Sequence, residues 1–179
     1  MVGTNRKGNE MTEQVDVLVA IAKFNDTVLS DSKDSKELQA QRKRLTDSIY
    51  QTVDSWERPS VEHIAEVTVA MNRDIQLRDF MMGLPSERPI DSVVEYLTYF
   101  DELVPLEYAA PIASIMASNF YSLEQTGEAR ELLNKALASN PSYSLANLLN
   151  RVFNAGWPSA AFVAMTHELH PKVKEEMGI

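Results

Sequence analysis

Apolar side chains recur through most of this chain at intervals of three and four residues, which is the period of an amphipathic α-helix. Prolines, glycines and polar clusters separate one such segment from the next. No segment alternates apolar and polar residues as a half-buried β-strand does. The pattern therefore predicts an all-α protein of seven to nine helices, without a sheet.

The first part of the chain is predicted to form a helical hairpin and a third helix. Residues 1–11 are polar and have no apolar period, so we expect a disordered arm there. Helices are expected over residues 12–29 and 34–56, which together make the hairpin, and over residues 60–82. These three helices form the predicted N-terminal part, residues 12–82.

Each hairpin helix carries one apolar stripe. The stripe of the first helix consists of Val15, Leu18, Ala22 and Leu29. The stripe of the second consists of Leu38, Arg42, Leu45, Ile49, Thr52 and Trp56, at alternating steps of four and three residues. Because the first stripe matches the second only partly, we expect the second helix to contact another copy of the chain. The residues predicted for this homodimer contact are Leu45, Ile49 and Trp56.

A boundary is predicted at residues 83–90, which contain two prolines and a glycine. The predicted C-terminal part, residues 91–179, starts with a short helix. Three later helices are each expected to begin at a proline, a residue favoured at the first helical position: Pro111, Pro141 and Pro158.

Aromatic residues are frequent around this boundary and in the first C-terminal helices. Most of them are expected to pack between the two parts, and exposed members are the best candidates to touch a partner. The residues predicted as partner contacts are Trp56, Tyr96, Tyr99, Tyr108 and Tyr121.

Composition narrows the class of protein. The chain has 179 residues, of which 44% are hydrophobic, enough for a substantial core. It has no apolar run of about 18 residues and no apolar signal-peptide core at its start, so we expect a cytoplasmic protein with no membrane partner. The absence of cysteine excludes disulfides, thiol catalysis and cysteine-bound zinc.

The charge argues against nucleic acid as a partner. The formal net charge is -9, and residues 91–179 carry 5 basic and 11 acidic side chains. This half of the chain would repel a phosphate backbone. The acidity is most simply explained by solubility.

Candidate chemistry is sparse. No glycine-rich phosphate loop, nucleophile elbow or dinucleotide fingerprint occurs. His167 and His170 share a helix face, but they lie three residues apart just before Pro171, whereas a metalloprotease helix needs a spacing of four. Asp74 and Arg78 are expected to form a buried structural pair. We therefore predict no catalytic residue, no cofactor and no metal.

The segment 111–138 resembles a single tetratricopeptide unit. The matching small, aromatic, large and proline positions are Ala117, Phe120, Ala129, Leu133, Ala136 and Pro141. Gly127 lies three positions later than the turn glycine of that repeat, and the stretch from Tyr143 lacks the glycine and tyrosine of a following unit. A single unit cannot form a superhelical groove, because about three are needed.

A second resemblance covers residues 73–163 and is most specific over 127–158. The matching groups are Gly127-Glu128-Ala129, Ala136-Leu137, Asn140-Pro141, Tyr143 to Ala146, Leu148-Leu149, Ala155-Gly156 and Pro158, with Arg78-Asp79 upstream. They are similar to the C-terminal end of an actinobacterial family of unknown function, in which an aspartate replaces Asn140. The resemblance implies an actinobacterial or actinophage origin, an all-helical tail and no assigned activity. The hairpin at 12–56 is expected to replace the N-terminal region of that family.

Taken with the absence of catalytic motifs, stacked helical units favour a surface for protein partners over an enzyme. We therefore predict a non-enzymatic protein-interaction module. A phage-encoded accessory protein that modulates a host protein is one alternative, and an enzyme with an undetected site is another.

Overall fold

The computed structural model describes residues 4–31 and 35–179, which contain nine α-helices and no strand, so the all-α prediction is confirmed. The helices are α1 Thr4–Phe24, α2 Lys36–Ser55, α3 Val61–Arg73, α4 Ile75–Gly83, α5 Ile90–Leu103, α6 Ala110–Ser122, α7 Thr126–Ser139, α8 Ser144–Asn154 and α9 Ser159–Met177. Short 3-10 helices occupy Leu84–Ser86 and Leu106–Tyr108. None of the helices in the described ranges has the length and apolar character needed to cross a membrane.

Helix α1 begins earlier and ends earlier than predicted. It starts at Thr4, so residues 4–11 are helical and the predicted disordered arm is wrong over this range, while residues 1–3 lie outside the described residues. The absence of an apolar period does not prevent a helix, because polar side chains can extend one beyond its core contacts. Within this extension, the Thr12 hydroxyl donates to the Gly8 carbonyl oxygen at 3.0 Å.

The predicted hairpin at 12–56 does not form as a closely packed pair. Helix α1 packs chiefly against α3, whereas α2 packs against α5 and α9. The connection is fixed by Gln41, whose side chain hydrogen-bonds the Leu29 backbone N–H and carbonyl at 2.9 and 3.2 Å. Consecutive helices thus contact different parts of one larger core.

Asp74 divides the predicted third helix into α3 and α4. Its backbone is extended (φ -126°, ψ 104°), and its carboxylate accepts a hydrogen bond from the Gln76 N–H at 3.1 Å. Its own N–H donates to the Ala70 carbonyl at 2.8 Å and closes α3. One aspartate therefore ends one helix and caps the next, the role for which its short acceptor side chain is suited.

One proline, Pro141, acts differently from the prediction. Helix α8 begins at Ser144, because Pro141 lies in the preceding turn. Helix α9 continues through Pro171 to Met177 and ends at Gly178, whose φ of 76° is the left-handed conformation typical of a helix C-terminus. Met177 is fully buried, so core packing holds the turn that follows the proline.

Helix α6 is the centre of the fold and is buried along nearly its whole length. Its closest partner is α7, where Ala113 and Ala117 meet the small side chains Ala129 and Ala136 in one hydrophobic cluster. A larger cluster extends from Val17 to Met116 and includes Met177. Helix α6 thus contributes residues to both hydrophobic clusters. The division of the chain into parts 12–82 and 91–179 stays a prediction.

Candidate functional site

An exposed apolar surface lies on the outer side of α1. Met11, Val15 and Leu18 line one wall, and Leu106, just after α5, lines the other. Together they form an open groove of about 400 Å³, here called the α1 groove. Met11 is 70% exposed, Val15 59% and Leu106 52%, which is unusual for large apolar side chains at one place.

The local sequence explains why α1 is apolar on two sides. Val17, Ala20 and Ile21 are the buried face toward the core, so the predicted buried stripe through Val15 and Leu18 is wrong. Those positions are apolar but point outward. A helix that is apolar on both sides is normally covered on both sides, and the structure covers only one.

Three acidic residues lie next to the lining of the α1 groove in the sequence. Asp16, Glu102 and Glu107 are exposed and adjoin lining residues in the sequence. A cation near the groove, Arg58, is paired with Glu13 and lies over the Tyr99 ring at 5.5 Å. The groove therefore combines an apolar floor with exposed acidic residues that adjoin it in the sequence, a combination suited to a basic, amphipathic segment.

The predicted partner contacts separate into two groups. Trp56 is 53% exposed, and Tyr99 and Tyr108 are half-buried, so these three reach the surface. Tyr96 and Tyr121 are buried and cannot touch a partner, which corrects their assignment. Their aromatic character reflects packing instead.

The predicted self-association residues are mostly interior. Leu45 is 1% exposed and Ile49 is fully buried within the single chain, so their assignment to a homodimer contact is wrong. Their stripe faces the core because α2 packs on α5 and α9. Only Trp56 of the three remains accessible.

Asp74 is paired differently from the prediction. It does not pair with Arg78. Arg42 makes two hydrogen bonds of 2.8 Å to its two carboxylate oxygens, and both residues are buried. Arg78 instead contacts Asp79 at 2.6 Å. The buried ion pair thus joins α2 to the junction of α3 and α4.

A serine and a histidine that are far apart in sequence meet in the structure. Ser48 Oγ lies 3.0 Å from His63 Nδ1, and His63 Nε2 lies 2.8 Å from the Tyr96 hydroxyl. Burial raises the pKa of Tyr96 well above its ordinary value, so the phenol stays protonated. Burial also lowers the pKa of His63, although Glu66 opposes this, so the imidazole is neutral at pH 7.

The directions of these hydrogen bonds decide what the Ser48–His63 pair can do. Among the residues that the structure describes, His63 is the only hydrogen-bond partner of the buried Tyr96 hydroxyl, and a buried hydroxyl proton needs an acceptor, so we infer that the hydroxyl donates to Nε2. Nδ1 then carries the proton and donates to Ser48 Oγ. A serine that accepts this bond is not activated as a nucleophile. The arrangement therefore favours a structural role.

A charged cluster anchors α9. The Glu87 carboxylate accepts hydrogen bonds from Tyr50 and from Lys174, the latter at 2.7 Å, and lies 3.3 Å from His170 Nε2. Burial would raise the pKa of Glu87, but Lys174, Tyr50 and His170 together outweigh burial and lower it to about 2.

His170 is buried, and its Nδ1 has no hydrogen-bond partner among the described residues. His167 is exposed, so the two histidines do not converge, and the described residues contain no group of three potential metal ligands.

We expect the free energy of unfolding to fall as the pH drops below about 6.5. Burial lowers the pKa of His170, and Glu87 only partly opposes it. On acidification, His170 therefore takes up its proton at a higher pH in the unfolded chain than in the folded chain. The free energy of unfolding keeps its full value above the unfolded pKa of about 6.5 and declines below it. The decline is at most about 1.4 kcal/mol per pH unit for each such histidine. Urea midpoints at pH 7.5, 6.5 and 5.5 measure this. His170→Gln should reduce the slope, and a slope equal to that of the unmodified chain would exclude His170 as its source.

Comparison with known proteins identifies the family. A family model described as "Domain of unknown function (DUF4192)" matches residues 3–160, and the chain belongs to this family. The match includes residues 12–56, so the first two helices lie within the family domain. No curated protein and no solved structure matches the chain.

Proposed function

Starting from this family membership, we propose that the chain is a non-enzymatic, cytoplasmic protein-interaction module that binds its partner through the α1 groove. The single observation that carries the proposal is the exposed outer face of α1, where four large apolar side chains lie on a helix that already has a buried apolar face. These are Met11, Val15, Leu18 and Val19, which are 43–70% exposed. Covering this face removes apolar area from water, and each fully covered Val or Leu contributes about 1.5–3 kcal/mol.

The partner proposed for this groove is an amphipathic helix with a basic edge. Its apolar face would lie along Val15 and Leu18, as in helix-in-groove recognition. Lys or Arg side chains beside that face would meet Asp16, Glu102 and Glu107. A second copy of the chain is a poorer occupant, because a symmetric contact would bring these acidic residues together.

The C-terminal helices contribute a rigid support in this proposal. The α6–α7 pair, with its small side chains in close contact, supports the tetratricopeptide-like character of residues 111–138. We regard it as a single supporting unit and place the partner surface on α1. An actinobacterial source is also proposed. If the chain is phage-encoded, its partner is a host protein. Identification of the protein that the chain binds would distinguish this alternative from the interaction module proposed above.

A peptide library displayed on phage tests the chemistry of the partner. We expect selection on the unmodified chain to enrich peptides with apolar residues at helical spacing and flanking Lys or Arg. Val15→Asp should weaken their binding at least tenfold, because it places a charge in the groove. Folding should be unchanged, since Val15 is 59% exposed.

Leu148→Asp is the matched control. Leu148 is an exposed apolar residue of α8, 45% exposed, and lies outside the α1 groove. It should leave peptide affinity unchanged. Enriched peptides with acidic flanks, or peptides that bind the Val15→Asp variant as well as the unmodified chain, would contradict the proposed function.

A further inference from the structure

An open cleft of about 320 Å³ lies where the segment 83–90 meets the C-terminal end of α6 and the middle of α9. We call it the polar cleft. It shares no lining residue with the α1 groove. Met82 and Phe162 supply apolar walls, and Asn119 and His167 supply polar ones. Its volume is at the lower end of the range of roughly 300–1,000 Å³ found for ligand pockets.

The polar cleft is lined by basic but not by acidic residues, and the positive charge of Arg88 is shared with its ion-pair partner Asp54. Arg88 and His167 are basic lining residues, and no aspartate or glutamate lines the cleft, although the chain contains 26 acidic residues. Glu87 adjoins two lining residues but directs its carboxylate to Tyr50 and Lys174. The cleft therefore disfavours a cationic ligand and favours an anion.

Asn119, in the wall of the cleft, has a buried hydrogen-bond donor that is not satisfied. The residue is 2% exposed, and its side-chain Nδ2 has no hydrogen-bond partner within the described part of the chain. A buried amide without a partner costs free energy, typically about 1–3 kcal/mol. Because Asn119 lines the cleft, an acceptor atom of a ligand bound there can supply the missing partner.

Four serine and threonine residues line the cleft, and the hydroxyl groups of three of them are already engaged. Ser86, Ser122 and Thr166 each donate to a backbone carbonyl of their own helix or turn, at 2.5, 3.0 and 2.8 Å. Arg88 donates to Asp54 and to the Glu87 carbonyl, so it contributes charge more than a free donor. Ser118 is the fourth hydroxyl residue, so Ser118, Asn119 and His167 are the donors left for a ligand. A carboxylate can accept from all three, because its two oxygens offer about four lone-pair sites.

We propose that the polar cleft binds a small organic monocarboxylate with a short apolar body. The carboxylate accepts hydrogen bonds from Asn119 Nδ2 and the His167 imidazole, with Arg88 adding positive charge. The apolar body lies against Met82 and Phe162. This binding function is independent of the α1 groove and of the proposed protein partner.

Three probes of the same shape test the proposal on the full chain by ¹H–¹⁵N NMR. Benzoate should give saturable shifts that include the Asn119 side-chain NH₂, with an affinity at least tenfold higher than that of neutral benzamide. Cationic benzylamine should not bind. Equal affinity for benzoate and benzamide, non-saturating shifts, or shifts elsewhere than in the polar cleft would overturn the proposal.

Three variants separate the effect of the site from the effect of net charge. His167→Gln changes an exposed side chain and should weaken benzoate binding several-fold, and Asn119→Ala should weaken it more than tenfold if its spectrum shows a folded chain. Lys172→Gln removes a positive charge from the same helix outside the cleft, so it should leave the affinity unchanged. If Lys172→Gln weakens binding as much as His167→Gln, the effect is net charge and the proposed site is wrong.

Discussion

Replacing Asp74 by alanine should lower the free energy of unfolding by about 3–5 kcal/mol, the largest loss we expect from a single substitution. The change leaves the buried guanidinium of Arg42 without the carboxylate that it binds at two 2.8 Å contacts. It also removes the side-chain acceptor that caps α4 at the Gln76 N–H. The measurement is urea unfolding followed by far-ultraviolet circular dichroism.

Two further variants divide this loss. Asp74→Asn keeps an acceptor at the cap but removes the negative charge, so it should recover only part of the stability. Arg42→Met together with Asp74→Ala removes both charges and should be more stable than Asp74→Ala alone, because the buried guanidinium that has lost the Asp74 carboxylate is removed as well. An Asp74→Ala loss below about 1 kcal/mol would mean that the pair is not buried as described.

Gly83→Ala should destabilise the chain by about 1–3 kcal/mol through steric overlap. A Cβ atom at this position would lie 2.2 Å from His170 Nδ1 and 2.9 Å from His170 Cβ. Alanine is the better helix former by about 1 kcal/mol, so propensity alone predicts the opposite sign. The His170 ring is confined by Phe80, whose ring centroid lies 5.4 Å away, and cannot simply move aside.

Gly127→Ala is the matched control, because a Cβ added there meets no atom within 4 Å. Its stability should be unchanged or slightly raised. His170→Ala should suppress the effect of Gly83→Ala, so that the double variant loses less than the sum of the two single losses. Strict additivity would show that Gly83 and His170 are not in contact.

The helical segments were predictable because their apolar period is a local property. The buried direction of α1 was not, since both Val15 and Val17 are apolar and their order along the chain does not say which faces the core. The core placement of Leu45 and Ile49 depends on packing against α5 and α9, which lie far away in the sequence. Periodicity identifies a helix, but it does not identify the neighbour of each face.

The polar groups show the same limit. The one-turn spacing of Asp74 and Arg78 within a predicted helix predicts that they pair, whereas Asp74 in fact caps a helix. Arg42 reaches Asp74 from 32 positions away. The approach of Ser48 to His63 and the burial of His170 against Gly83 likewise depend on long-range packing. A near-continuous apolar run from Val15 to Ala22 was the one sequence signal of the exposed groove.

The most direct test of the proposed function is site-specific photo-crosslinking in cells that encode the chain. A photoreactive amino acid replaces Val15 in the α1 groove, and in a matched strain it replaces Leu148 on α8. We expect a covalent adduct with another protein at position 15, absent at position 148, and captured through a basic, amphipathic segment. No adduct at position 15, an equal adduct at position 148, or an adduct only with a second copy of the chain would contradict the account.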